Sequence, residues 1–173
     1  MNLILRLILV LVKGSFRKRL KPLDISSLRL HVLPNDLDIQ LHMNNGRYLS
    51  LMDLGRIDLL VRTGFWRAAR RHRWFPVVAT AIIDYRRPLL LFQSYELRTK
   101  VLGWDDRWFY LEQQFVRGAA VAARATLKTM IRSAAGVVLP ADALRAIGFY
   151  APSPELPEAI QMIARTDRSR ELT

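Results

Sequence analysis

Residues 36–49 read DLDIQLHMNNGRYL, and this polar stretch lies between two runs of very different pattern. Before it, residues 28–33 (LRLHVL) alternate as a strand does, and Pro34 ends the run. After it, the apolar side chains of residues 46–62 spread around much of the helical circumference, which is the pattern of a buried helix. Asn44 directly precedes that helix and is a residue type that caps helix N-termini. The stretch therefore connects a first strand to the start of a buried central helix.

The segments after the helix predict the rest of a sheet. Residues 77–83 are almost continuously apolar and predict a strand covered on both faces, near the sheet centre. Residues 95–101 alternate between apolar and charged side chains, as in a half-exposed strand. Two long strands, 108–116 and 119–131, are joined by a tight turn, and a short helix is predicted at 140–147. This order predicts an α+β domain whose antiparallel sheet wraps one long central helix.

Composition limits both the number of domains and the available chemistry. The chain has 173 residues, of which 51% are hydrophobic, enough for one domain with a core. We divide it into an apolar and basic amino-terminal segment (1–22), one domain (23–150) and a polar carboxy-terminal tail (151–173). Cysteine is absent and the three histidines have no metal-ligand spacing, so disulfides, thiolate nucleophiles and a protein metal site are not expected. The glycine-containing motifs of serine hydrolases and nucleotide-binding enzymes are missing from the sequence. Any chemistry should therefore rest on carboxylates, amides or imidazole.

The amino-terminal run, residues 2–12 (NLILRLILVLV), is apolar except for Asn2 and Arg6. As a helix it would be about 16 Å long, roughly half the thickness of a bilayer core. Basic residues follow the run rather than precede it, and no small-residue cleavage site closes it, so we predict a cytoplasmic protein. Two interpretations of residues 1–21 stay open: an interfacial membrane anchor with its basic cluster on anionic lipid, or a helix packed on the domain or on a neighbouring subunit.

The charge of the chain predicts an anionic partner. Its formal net charge is +12, which suits nucleic acid, an acidic membrane surface or a phosphorylated ligand. Arginines cluster within residues 67–73 and at Arg86 and Arg87, and guanidinium groups match phosphate oxygens, although a solvated basic face is the simpler explanation. No RNA-binding consensus accompanies them, so nucleic acid is the least favoured partner.

The start of the predicted helix offers the chemistry of acyl transfer. Backbone amides at a helix N-terminus are unpaired and lie at the positive end of the helix dipole, so they can polarise a thioester carbonyl and stabilise an oxyanion. A nearby carboxylate can act as a general base on water or as a nucleophile. Asp36 and Asp38 are the candidates, and aspartate is also common in turns and caps.

The sequence resembles a known family at this point. Residues 36–38 (DLD) followed by residues 42–48 (HMNNGRY) resemble the hot-dog-fold acyl thioesterases, in particular the 4-hydroxybenzoyl-CoA thioesterase type and the plant acyl-carrier-protein thioesterases. The thioesterase superfamily member six type is more similar still, in residues 33–49 and again in residues 102–115 (LGWDDRWFYLEQQF). The resemblance covers about residues 33–131 and implies the hot-dog fold, an antiparallel sheet around one long helix.

The resemblance also implies roles for individual residues. Asp38, the second aspartate of the pair, would be the catalytic carboxylate, and His42 lies where the plant enzymes have an active-site histidine. The backbone amide at Asn45 would receive the thioester carbonyl, whereas Asp36 would be structural. The substrate-binding residues would be Asn44, Asn45, Gly46 and Tyr48 at the helix start. Arg86 and Arg87 join them on the separate ground that guanidinium groups suit the phosphates of coenzyme A.

The implied function is hydrolysis of an acyl-CoA or acyl-carrier-protein thioester to free acid and thiol, with no cofactor or metal beyond the coenzyme A that the substrate carries. The resemblance also implies a homodimer, often a dimer of dimers, with pockets at the subunit interface. Gln40 and Leu41 stand where relatives have asparagine and glycine, and they favour an alternative: a membrane-associated protein that binds acyl-CoA or acyl-carrier protein without turnover. Hydration of an enoyl thioester by His42 and nucleic-acid binding are smaller alternatives.

Overall fold

An antiparallel sheet curls around one long helix in the computed structural model, which describes residues 3–161. The helices are α1 (Leu3–Phe16), α2 (Asn45–Arg62), α3 (Phe65–His72) and α4 (Pro140–Arg145). The strands are β1 (Ser26–His31), β2 (Phe75–Tyr85), β3 (Ser94–Trp104), β4 (Phe109–Arg117), β5 (Ala120–Ser133) and β6 (Gly136–Val138). A 3-10 turn, Pro34–Asp36, leads from β1 into the polar loop. The predicted α+β architecture is confirmed.

The strands lie in the order β1-β3-β4-β5-β2, with β6 paired to the end of β5. The central helix, α2, lies very close to the sheet at Gly55, where a Cβ atom would come within 2.5 Å of the Thr99 hydroxyl and 2.8 Å of the Gln113 amide nitrogen. Gln113 is buried, and it donates to the Met52 carbonyl at 3.0 Å and to Thr99 at 2.8 Å. Glycine at position 55 is therefore what permits this close helix–sheet contact.

The strand predicted for residues 77–83 lies at the edge of the sheet, so its predicted central position is wrong. β2 pairs with β5 along one side and has no strand on the other side among residues 3–161. Its apolar and aromatic side chains include four that are exposed, Phe75, Val78, Ile82 and Tyr85. An apolar pattern shows how hydrophobic a strand is but not how many neighbours it has. Here α2 and α3 carry the chain to the far edge, beside β5.

Helix α1 packs on α2 through one of its faces. Val10 and Gly14 are buried in this contact, and a Cβ atom on Gly14 would lie 3.3 Å from a methyl group of Val61. The opposite face of α1 is exposed. Within residues 3–161, no helix combines the length and the apolar character needed to cross a membrane.

The segment that begins the predicted polar tail packs on the sheet as far as residue 161. The Ser153 hydroxyl accepts a hydrogen bond from the Trp104 amide at 2.8 Å. Ile160 is buried against Trp108 and Tyr110. The remainder of the predicted tail, residues 162–173, lies outside the described residues.

Candidate active site

The polar loop before α2 is a narrow, hydrogen-bonded turn. Its two sides are joined by a bridge between Leu37 and Met43, and by hydrogen bonds from the Asp38 amide to the His42 carbonyl and from the Asn44 amide to the Asp36 carbonyl, both 2.9 Å long. The loop also rests on the connection between β2 and β3, because the Met43 amide donates to the Leu89 carbonyl at 2.8 Å. These contacts hold residues 36–44 beside the start of the central helix.

Leu41 lies at the tip of this turn with φ at +61°. This left-handed conformation is one that glycine adopts freely and that costs a side-chain-bearing residue free energy. Leu41 is 70% exposed, so its side chain gains little packing in return. The backbone conformation at position 41 is therefore one that glycine would suit better than leucine.

Asp38 and His42 lie next to each other within the loop. The Nδ1 atom of His42 is 3.4 Å from Oδ1 of Asp38, close enough for an ion pair when the imidazole is protonated. The same carboxylate oxygen accepts a hydrogen bond from the Gln40 amide at 2.9 Å. Both side chains remain partly exposed, Asp38 by 25% and His42 by 32%. The other oxygen of Asp38 has no hydrogen-bond partner within residues 3–161, which leaves it available to a water molecule or a substrate.

The start of α2 presents an unpaired amide. Asn44 is the N-cap, and its side-chain oxygen accepts from the Gly46 amide at 2.8 Å. The Arg47 amide donates to the Asn44 carbonyl at 2.9 Å. The Asn45 amide, in contrast, has no partner among the described residues. Tyr85 fixes this end of the helix from outside, because its hydroxyl donates to the Asn45 carbonyl at 3.0 Å.

Asp36 is fully buried and connects three parts of the chain. It accepts hydrogen bonds from Arg6 of α1 at 2.6 Å, from Arg47 of α2 at 2.8 Å and from the Leu33 amide at 2.9 Å. Burial alone would raise the pKa of Asp36, but the hydrogen bonds from Leu33, Arg47 and Arg6 outweigh it and hold that pKa below the ordinary value of 3.8. Asp36 therefore joins α1, the 3-10 turn and α2 as an ionised, paired carboxylate.

Tyr48 lies beneath the helix start, inside the core. It is 3% exposed, and its ring makes edge contacts with Tyr85 and Phe115 at centroid distances of 5.2 and 4.8 Å. Burial raises the pKa of Tyr48 to about 12, although the Leu89 backbone acts to lower it. Tyr48 therefore supports the loop and the helix start rather than lining an open pocket.

The two arginine clusters lie at different ends of α2. Arg86 and Arg87 follow Tyr85 directly, and both of their amides donate to the Ala122 carbonyl, so their exposed side chains start near the Asn45 end. Arg67 and Arg71 of α3 line a concavity at the other end, about 27 Å away for a helix of 18 residues. The structure thus brings only the second cluster, Arg86 and Arg87, near the candidate site.

An apolar cavity of about 460 Å³ lies beside the second half of α2. Its charged lining residues are Asp53 and Arg56, which pair with each other as their spacing on the helix predicts. None of its lining residues belongs to the loop that carries Asp38 and His42. This cavity is therefore separate from the candidate active site.

Three residues that shape the site do not stand out in its local sequence pattern: Arg6, Tyr85 and Arg47. Arg6 is the one that sequence reasoning could have found, because a charged residue within an apolar helix needs a partner when it is buried. Nothing in the spacing identifies that partner as Asp36, which lies 30 residues away.

Comparison with known proteins identifies the family of the chain. A family model described as the thioesterase-like superfamily matches residues 32–161. Protein THEM6 of Xenopus laevis is 41% identical over 105 residues, which is 58% of this chain and 51% of that protein. The chain therefore spans about half the length of this relative.

Solved structures of thioesterases have the same fold. The YbaW probable thioesterase from Escherichia coli aligns with a TM-score of 0.65 at 21% identity, covering 70% of this chain and 98% of that chain. The BH1999 gentisyl-coenzyme A thioesterase gives a TM-score of 0.63 at 21% identity, covering 69% and 98%. At such identities the likeness shows the fold. With the family match over residues 32–161, it establishes that this chain is a hot-dog-fold member of the thioesterase-like superfamily.

Proposed function

We propose that the protein hydrolyses an acyl-CoA thioester, with Asp38 as the catalytic carboxylate and the Asn45 amide as the carbonyl-binding group. The observation that carries this proposal is the unpaired Asn45 amide at the N-terminus of α2, on the same tight loop as a carboxylate with one free oxygen. An amide donor at the positive end of a helix stabilises the negative charge that develops on a thioester oxygen.

In this mechanism the free oxygen of Asp38 takes a proton from a water molecule, and that water attacks the thioester carbon. The oxygen of the carbonyl becomes negative on the Asn45 amide. The carbonyl then re-forms as the carbon–sulfur bond breaks, and the thiolate leaves with the bonding electron pair and takes the proton from Asp38. His42 would orient Asp38 through its Nδ1 contact. Direct attack by Asp38 on the carbonyl, followed by hydrolysis of the anhydride, uses the same groups.

The experiment that tests this function is release of free thiol from a panel of short, long and aromatic acyl-CoAs. Tight binding of an acyl-CoA with no thiol release would instead favour the binding-protein alternative, which the strained turn at Leu41 supports. Hydration of an enoyl-CoA in the same panel would identify the reaction that depends on His42.

Coenzyme A is the favoured carrier because Arg86 and Arg87 follow Tyr85, which touches the Asn45 carbonyl. Replacing both arginines with alanine should raise KM for an acyl-CoA by about tenfold, since exposed guanidinium–phosphate contacts are lost. The same variant should hydrolyse an acyl-pantetheine, which has no nucleotide phosphates, with unchanged KM. Arg98→Ala on β3 is the matched control, and an equal KM effect in that control would contradict the assignment.

The unpaired edge of β2 supports a homodimer in which two such edges meet. Phe75, Val78, Ile82 and Tyr85 are exposed there, and an exposed, apolar edge strand pairs readily with another strand. Because Tyr85 also touches the helix start, this edge adjoins the candidate site. The partner subunit would then close the substrate pocket.

We expect Ile82→Lys to convert the dimer to a monomer in analytical ultracentrifugation, because it places a charge within that edge. Thiol release should fall with dimer content, while circular dichroism shows retained structure. Val137→Lys is the control. It places a lysine on β6, which pairs with β5 on the side of β4 and not on the side of β2. It should change neither the oligomeric state nor thiol release. An Ile82→Lys monomer with full thiol release would show that the site is complete in one protomer.

A further inference from the structure

The outer face of α1 is an apolar surface that the domain does not cover. Its exposed fractions range from 40% for Leu9 to 87% for Phe16. The exposed apolar side chains of this face are Ile4, Leu5, Ile8, Leu9, Val12 and Phe16. The opposite face of α1 is anchored to the domain, because Arg6 pairs with the buried Asp36 and Gly14 lies close to Val61. A contiguous apolar patch on a rigid support is typical of an interaction surface.

Basic groups from two distant parts of the sequence meet at the end of this face. Arg19 follows Phe16 by three residues, and it lines one concavity together with Arg67 and Arg71 of α3. His72 also lines this concavity, as does Arg62, which is buried and pairs with Asp58; no acidic residue lines it. The basic concavity thus includes a residue three positions beyond Phe16, the last side chain of the apolar face, and neither chain segment forms it alone.

We infer that α1 and α3 together form a docking surface for an anionic lipid membrane, with α1 lying in the plane of the headgroups. Apolar side chains of a surface-lying helix enter the boundary between headgroups and acyl chains, while adjacent Lys and Arg groups attract anionic headgroups. Charge complementarity favours this occupant over a second copy at this surface, since a second copy would bring its own Arg19, Arg67 and Arg71 to the contact. The inference does not depend on the proposed hydrolysis.

The test is flotation of the full chain with vesicles of phosphatidylcholine alone or mixed with phosphatidylglycerol. The protein should float with the anionic vesicles only, and added salt should release it because headgroup attraction is screened. Arg67→Glu combined with Arg71→Glu should weaken binding by about 30-fold or more, given the contribution of each basic group at a membrane surface. Ile8→Ser combined with Phe16→Ser should also weaken binding, while melting curves of both variants stay close to that of the parent.

Arg98→Glu combined with Lys100→Glu is the matched control, because it makes the same charge change on exposed positions of β3. Retained vesicle binding in this control supports the inference. An equal loss in the control would overturn it, since net charge rather than this surface would then explain binding. The inference would also be overturned if the parent did not bind anionic vesicles. It would be overturned as well if the serine variant bound vesicles fully but lost self-association in ultracentrifugation, since the apolar face would then serve contact between copies of the chain.

Discussion

Asp38→Asn is expected to slow thiol release from acyl-CoA by about 10²- to 10⁴-fold, the range that general-base catalysis contributes. Asparagine has nearly the same shape and can still accept the hydrogen bond from the Gln40 amide, so the loop should keep its structure. What it loses is the ionised oxygen that would take a proton from water or attack the carbonyl. KM and the melting temperature should therefore change little while kcat falls.

The control for this substitution is Asp106→Asn. Asp106 is an exposed aspartate in the turn between β3 and β4, where neither the sequence nor the structure gives it a catalytic role. Its variant should release thiol at the parent rate. An Asp38→Asn protein that retains full turnover would exclude Asp38 as base or nucleophile, whereas a large fall in its melting temperature would indicate a structural role.

Asp36→Asn is expected to lower the free energy of unfolding by about 3–5 kcal/mol, the usual cost of breaking a buried ion pair from one side. The substitution leaves the guanidinium of Arg6, which is 3% exposed, without a charged partner. Denaturant unfolding followed by circular dichroism measures the loss. Asp142→Asn removes the same charge from an exposed pair with Arg145, and it should cost under about 1 kcal/mol.

A double variant tests whether the loss of stability in Asp36→Asn comes from breaking the ion pair with Arg6. Adding Arg6→Met to Asp36→Asn should cost less than the sum of the two single changes, because the uncompensated buried charge is then removed. Strictly additive losses would contradict the assignment of this pair as one unit.

The lowered pKa of Asp36 predicts that the folded protein loses stability in acid. The folded-state pKa of Asp36 is held below its ordinary value of 3.8, so its stabilising contribution is fully present above that value. The contribution is lost as the pH falls through the folded-state pKa, because the protonated group no longer pairs with Arg6 and Arg47. The parent should therefore lose stability with acid in this range more steeply than Asp36→Asn does.

The local sequence predicted much of the candidate site. The residue type of Asn44 predicts an N-cap, and the structure confirms the cap through its hydrogen bond with the Gly46 amide. Helix α2 was predicted from apolar periodicity to within one residue at its start. These features depend on neighbours a few residues apart, which is the range over which capping and periodicity act.

The sequence by itself thus determined a strand, a polar loop and a capped, buried helix in that order, and it identified the family. Only the tertiary structure decided that β2 lies at the sheet edge, that Arg6 pairs with Asp36, and that Arg19 meets the arginines of α3. These outcomes join residues far apart in the chain. Local patterns fix which residues are apolar or charged, but the choice of distant partner depends on how the whole sheet and its helices pack.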